Sequence, residues 1–580
     1  MIYPEKSGER LHDMLGLAQA FFEPLAELGS ITPVGESDLP GDYLTLLAHS
    51  GHMTITLEAW HESLVNVHVE GEFREPDRYA RHSLLSRQSD GRVVQSGIMR
   101  IDLTGLPAEV RRQIEVGETP LGRILIRAEL LREVELLALW RIAAGPRLAR
   151  ELDLPQGTIV HGRSARILVE GRPAVELLEI EGFSTLLVER ERMPRHHVGE
   201  SLMPETYWTF EKLGVLDKLT TSRCAKKVGV QFVNSTGQES KPFFFRNHYD
   251  HASSETWHVE RPEFDQMLFD NATELGAECH DQTRVLEVLF DGDDAATARA
   301  TGVRLRTADG ERTITSRVVI DATGQSSLIA NRFALKEMNG HLRKAAIWRH
   351  YRGAKRDESG GGVKTLIMHT QDEKCWFWYI PQSNDIVSVG VVGDNDYLLK
   401  GRGAPEDALN QEIANCPVLG GYLEGSEALD DLAVAKEFSY TTKQAAGAGW
   451  VLVGDAWGFI DPVYSSGVYF AMKSADMASE CVVDALQSGD LSAERLGAWA
   501  PTFAEGTKWV RKLVNSFYSG NFRVGKFVQE YPHHAGPLTD LLVGKMFSPD
   551  MPALFADLDP WLEKMASAPR TGDEPMMALG

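Results

Sequence analysis

At 580 residues the chain is too long for one ordinary core, so two to four domains or lobes are expected. A net charge of −23 and a pI near 5.3 argue against nucleic acid or an anionic membrane as main partners. Five scattered cysteines, Cys224, Cys279, Cys375, Cys416 and Cys481, form no close pair and read as reduced thiols of a cytoplasmic protein.

Leu11, Met14, Leu15, Ala18, Phe21 and Leu25 recur at helical spacing and predict an amphipathic opening helix. Met53, Ile55 and Leu57 alternate with Thr54 and Thr56, which predicts a strand, and the β-branched residues 64–69 predict another. Residues 79–86 and 93–103 read as two more strands joined by a Ser-Asp-Gly turn. Residues 108–116 are helical, and Pro120-Leu121-Gly122 opens a second short helix. Residues 165–169 and 174–180 form a hairpin about Gly171-Arg172-Pro173. Strands dominate and no βαβ unit occurs, so residues 1–181 are expected to be an antiparallel α+β domain. No stretch is apolar for long enough to span a bilayer, and the N-terminus lacks a signal pattern.

Arg81, Arg87, Arg100, Arg163 and Arg166 lie on or beside these strands, and Glu179 closes the hairpin. Guanidinium forks aimed into a sheet pocket suit a dicarboxylate; solvated surface charge is the alternative. The order Met53 to Glu58, Thr119-Pro120-Leu121-Gly122-Arg123, Gly162-Arg163-Ser164-Ala165-Arg166 and Gly171-Arg172-Pro173 resembles chorismate pyruvate-lyases over residues 8–180. The resemblance implies cleavage of chorismate to 4-hydroxybenzoate and pyruvate. Arg100 corresponds to a carboxylate-binding arginine and Glu179 to the glutamate near the ring.

At Gly182 the pattern changes. Residues 183–190 are a buried-type strand ending in Glu189, where a dinucleotide fold places the acid for its ribose. Arg195 and the adjacent His196 and His197 follow; neighbouring histidines on an extended segment rarely share an ion, so no metal is expected. Arg261 precedes a helix, and residues 318–324 form a second buried strand entering a glycine turn. Residues 450–453 lead into Gly454-Asp455 and on to Ser465-Ser466-Gly467, after which a helix begins. Unpaired N–H groups at that helix start suit a flavin edge or a small anion, and Asp455 suits a sugar-alcohol chain. Residues 491–518, 522–528 and 554–565 predict C-terminal helices within 491–580.

Three motifs in order resemble FAD-dependent monooxygenases, and more narrowly flavin-dependent halogenases, from residue 182 to about 545. They are Gly199-Glu200-Ser201 after Pro194-Arg195, Trp376-x-Trp378-x-Ile380-Pro381, and Phe459-x-x-Pro462-x-x-Ser465-x-Gly467. The resemblance implies an α/β FAD-binding Rossmann-like domain over 182–490, with a mixed β-sheet substrate lobe and C-terminal helices. FAD, supplied reduced by a separate flavin reductase, would contact Glu189, Arg195, Gly199, Glu200, Ser201, Arg261, Gly454, Asp455, Pro462 and Gly467. Halide would sit on Ser466 and Gly467, and Lys227 would pass the oxidised halogen to the ring; Lys226 points to the other face. Tyr464 stands where tryptophan halogenases carry a glutamate, which points to a phenolic substrate, either a small aromatic or one tethered to a carrier protein. The chain departs from the family by having no G-x-G-x-x-G loop before residue 182. A flavin hydroxylase or reductase of the same fold stays open beside the halogenase, as does a binding protein that has lost FAD.

Overall fold

A computed structural model of the chain describes residues 16–567 apart from 37–38, 40–42, 44–45, 62, 89–90, 129, 131, 153, 155, 170, 182–184, 276, 359, 430–431, 489 and 520–523. The chain packs as two compact units. One comprises Met1–Arg190, Phe269–Thr283 and Val483–Asp490; the other comprises Glu191–Leu268, Arg284–Val482 and Leu491–Gly580.

The first unit is organised by β1 (Gly29–Val34), β2 (Val65–Arg74), β3 (Arg78–Arg87), β4 (Val93–Asp102), β5 (Arg132–Ala144), β6 (Ile159–Val169) and β7 (Arg172–Glu181). They form one antiparallel sheet in the order β1-β5-β6-β7-β4-β3-β2. Helices α1 (Met53–Trp60), α2 (Ala108–Val116) and α3 (Leu121–Arg127) belong to the same unit. Its core gathers Trp140, Ile142, Leu178 and Ile180 around Phe22 and Leu148, all almost fully buried.

The alternation at Met53 predicts a strand, and the structure corrects it to a helix. Met53, Leu57 and Trp60 are buried while Ile55 is 52% exposed, and only a 3.6-residue period puts those three on one face. Of the opening helix, residues 16–19 are helical, whereas Leu11, Met14 and Leu15 lie outside the described residues. Beyond the sheet, β8 (Leu186–Val188) pairs in parallel with Glu278–His280, and the Glu189 N–H donates to the His280 carbonyl at 2.8 Å.

The second unit is built on a nine-stranded mixed sheet. Its strands include β9 (Ala225–Val233) and β10 (Thr256–His258), with a small separate parallel pair formed by β11 (Val319–Asp321) farther along the chain. The sheet continues with β12 (Lys336–Arg352), β13 (Val363–His369), β14 (Cys375–Pro381) and β15 (Ile386–Asp394). The order runs β9-β13-β14-β15-β12, with β10 on β9. Every residue of β13 and β14 is buried, because the sheet is covered on both faces there; β14 reads as an unbroken apolar run, whereas β13 carries buried Lys364, Thr365 and His369. β11 pairs in parallel with β16 (Trp450–Leu452). Helix α4 (Gly467–Ser488) leaves the loop that follows β16, and α5 (Ala500–Tyr518) lays its buried Phe503, Val510 and Phe517 inward. Among the described residues no helix is long and apolar enough to cross a membrane.

Candidate active site

Lys227 sits on β9, opposite Val363 of β13. The next registered pair is Gly229 with Lys364, so β9 spends two residues against one and bulges at Val228. A bulge re-aims a strand's side chains. Here it lets Lys227 line the same cavity as Val230 and Phe232, despite their opposite parity along the chain. Lys226, in contrast, is half exposed and pairs with Glu255 at 3.5 Å.

The Lys227 ammonium is 2% exposed and donates to the Leu202 carbonyl at 2.8 Å. Burial pushes its pKa down to about 7. Phe243, Phe245, Ile367, Val463 and Tyr464 complete the wall, and Lys227 is the one charged side chain among the described residues that line the cavity. Nζ lies 5.5 Å from the Phe245 ring centre.

A buried polar chain lies under this wall, and its two middle members belong to no motif. His258 makes a 2.7 Å contact from Nδ1 to the Pro381 carbonyl, which only accepts, so Nδ1 carries the proton. Burial, with the Lys227 charge nearby, holds the imidazole neutral by driving its pKa far down. Nε2 therefore accepts from the Thr365 hydroxyl at 2.8 Å, and Thr365 in turn accepts from Ser201 at 2.9 Å. Ser201 and Pro381, both singled out from sequence, are thus joined by two residues that were not.

The tryptophan motif and the Phe-x-x-Pro motif are also joined. Trp376 and Trp378 share one face of β14, with ring centres 6.4 Å apart. Trp378 fits because Gly390 beside it has no side chain; a Cβ there would stand 2.2 Å from the indole. Trp376 Nε1 donates to the Tyr518 hydroxyl at 3.1 Å, and that hydroxyl donates to Asp461 at 3.1 Å. Asp461 also accepts from the Val463 N–H, yet burial outweighs both donors and lifts its carboxyl to about 7.

The loop between β16 and α4 is held tightly at both ends. Gly454 has φ +56, and a Cβ would press within 3.2 Å of Ala471. Its N–H donates to Ser474 at 2.8 Å. Burial lifts Asp455 to about 6, against the opposing charge of Arg261. Ser465 is left-handed at φ +57, a strained conformation for a residue other than glycine, and it precedes buried Ser466 and the first residue of α4, Gly467. Pro462 lies within this loop, between Asp461 and Val463. The Tyr464 hydroxyl is buried without a hydrogen-bond partner, and the residue lines the lysine cavity.

Around Gly199, Arg261 holds Asp265 through Nε at 2.7 Å and Nη2 at 2.9 Å, and also donates to the Val198 carbonyl. Arg195 reaches the same carboxylate at 2.8 Å. Gly199 has φ +108, and a Cβ would meet Arg261 at 2.9 Å. Glu200 is buried against His350 at 2.5 Å. His197 Nδ1 contacts the Val198 carbonyl at 2.8 Å. Glu189 belongs to the first unit.

The first unit has a pocket of its own, lined by Arg81, Arg163 and Glu179 with Ser83, Gln95 and Gly122. Arg163 is 1% exposed and donates to Glu179 at 2.7 Å and to the His49 carbonyl at 2.9 Å. Arg100 is not there. It is exposed and paired with Glu176, because Arg81 is registered with Met99 and the next residue along β4 points to the opposite face. Arg81 is the arginine that the sheet turns inward. Arg166 likewise lies outside the pocket, 3.7 Å from Glu135.

Residues 245–526 match the family model described as tryptophan halogenase. Over 332 residues the chain is 31% identical to the 1H-pyrrole-2-carbonyl-(peptidyl-carrier protein) brominase of Pseudoalteromonas luteoviolacea, covering 56% of this chain and 78% of that relative. The chain belongs to the flavin-dependent halogenase family. The corresponding chlorinase of Pseudomonas fluorescens is 27% identical over 410 residues, 66% of this chain and 89% of that one. The solved structure of the flavin-dependent brominase Bmp2 superposes with a TM-score of 0.59 at 27% identity, covering 66% of this chain and 94% of that chain. Such halogenases use FAD supplied by a separate flavin reductase, together with halide.

Gly454, Asp455 and the start of α4 fit the ring and ribityl end of that cofactor: a close backbone turn, a partly buried carboxyl and a helix N-terminus. Nothing comparable is found for the diphosphate end, since the sequence holds no G-x-G-x-x-G. Bound reduced flavin supplies, with O₂, the two-electron oxidation of halide. The chain itself provides an apolar wall around the buried Lys227 amine, whose pKa burial brings to about 7.

Proposed function

We propose that Lys227 delivers halogen to an electron-rich, phenol-type ring held in the aromatic-lined cavity. The observation that carries this reading is a buried amine with a single carbonyl partner on the wall of that cavity. A hydrated surface lysine would be charged and useless for this purpose; a desolvated one hydrogen-bonds or aminates the oxidant. Tyr464 on the same wall adds an aromatic face where an acid would favour an amine-bearing substrate. Lys227→Ala should lower ring halogenation by about a hundredfold or more while reduced flavin is reoxidised at the same rate. Retained halogenation would remove the lysine from the mechanism.

The lining also bears on how the substrate arrives. A free carboxylate would find no guanidinium among the described residues there. The favoured substrate therefore carries its acyl group as an ester or thioester, in keeping with relatives named for carrier-bound pyrroles. Methyl 4-hydroxybenzoate or a carrier thioester should outpace free 4-hydroxybenzoate by about tenfold; equal rates would set this preference aside.

For the first unit, the reading is chorismate cleavage to 4-hydroxybenzoate and pyruvate. Arg81 and Arg163 are two buried guanidiniums in one pocket, suited to the two carboxylates of chorismate, with Glu179 beside them. Pyruvate release from chorismate by the full chain, lost in Arg81→Ala, is the expected result. No pyruvate would end this half of the proposal and leave the halogenase half standing.

A further inference from the structure

The two ends of the flavin site are unequal in this chain. In a dinucleotide-binding fold, a strand, a glycine turn and a helix bring backbone N–H groups onto the diphosphate. The residues that lead into β8 are instead the hairpin β6–β7, whose turn residue Gly171 (φ +73) joins two antiparallel strands and opens no helix. In the second unit, β11 pairs only with β16 among the described residues, and Ile320 at its centre is 48% exposed. That is an open parallel edge, not the flank of a continuous sheet. The nearby cations are also committed: Arg195 and Arg261 share the Asp265 carboxylate, and Arg261 gives another N–H to Val198. A diphosphate would have to displace that carboxylate.

By contrast, the ring and ribityl end is built. Gly454 permits the close turn, Asp455 lies partly buried beside it, and the 22-residue helix α4 begins at Gly467. We infer that this chain recognises a flavin by its ring and ribityl chain, so that FMN and riboflavin bind about as tightly as FAD. The inference rests on the halogenase reading and deepens it: the flavin passed on by the reductase need not be the dinucleotide.

The test is a flavin-fluorescence titration of the full chain with FAD, FMN and riboflavin in turn. Dissociation constants within about threefold of one another are expected, with millimolar ADP displacing none of them. Gly454→Val, which crowds Ala471, should weaken all three alike, and Asp455→Asn provides the same comparison if the valine variant does not fold. FAD binding about tenfold or more tighter than FMN, or displacement by ADP, would overturn the inference and leave the halogenase standing. Binding of no flavin at all would overturn both.

Discussion

Each unit buries a cation in its pocket, and the two are treated in opposite ways. Arg163 donates to Glu179 and to the carbonyls of His49 and Gly51, so much of its charge is compensated where it lies. Lys227 has one carbonyl and an apolar wall, and burial pulls it down to about 7. The neighbours record the same contrast. His49 is pushed down by burial and then by the Arg163 charge, and His258 by burial and then by Lys227. A paired guanidinium serves to hold shape and to bind anions; an unpaired amine near neutrality is a reactive group.

The sharpest way to break this comparison is to strip each cation of its role. Arg163→Leu leaves the Glu179 carboxylate buried and alone, which should destabilise the first unit by roughly 3–5 kcal/mol in thermal or urea unfolding. Adding Glu179→Leu should recover most of that loss; no recovery would mean the pair is not the cause. Lys227→Met should act in the other direction. The folded lysine pKa is about 7 against 10.5 for the free side chain, so the buried ammonium costs most at pH 7 and below. The cost fades as pH rises toward 10.5, where both states are neutral. The methionine variant should therefore melt several degrees higher than the parent at pH 6 and only slightly higher at pH 10. A constant gap would contradict the assigned titration.

Smaller changes sharpen the picture. Tyr518→Phe removes a donor that holds the Asp461 carboxyl down, so any step in the pH–rate profile near 7 should move upward, with about 1 kcal/mol lost in stability. Arg100→Ala, at an exposed pair with Glu176, should change stability by less than about 0.5 kcal/mol and leave pyruvate release intact.

How much of this was legible follows from parity and from distance along the chain. The hairpins around β3, β4, β6 and β7 could be read because turn residues and alternation agree. Met53 to Leu57 misled because a five-residue alternation also fits a helix once Ile55 is allowed to face solvent. That Arg81 faces the pocket and Arg100 does not is a matter of one residue of register, invisible without the pairing of β3 against β4. The halogenase motifs point to Trp376, Lys227 and Ser466 without any help from the fold. His258, Thr365 and Tyr518 carry no pattern of their own; only sheet pairing, and a helix whose last residue lies 57 positions beyond Asp461, bring them together.

The Ser201–Thr365–His258–Pro381 chain has a direction. Each hydroxyl hands its hydrogen toward the imidazole, and the imidazole hands its own to the last carbonyl. Such a row behaves as a latch with one closed setting. A second proton on the ring would meet the Thr365 hydrogen head-on, and both hydroxyls would have to swing round together. β10, β13 and β14, which this row fastens behind the lysine, would then loosen as a set in acid.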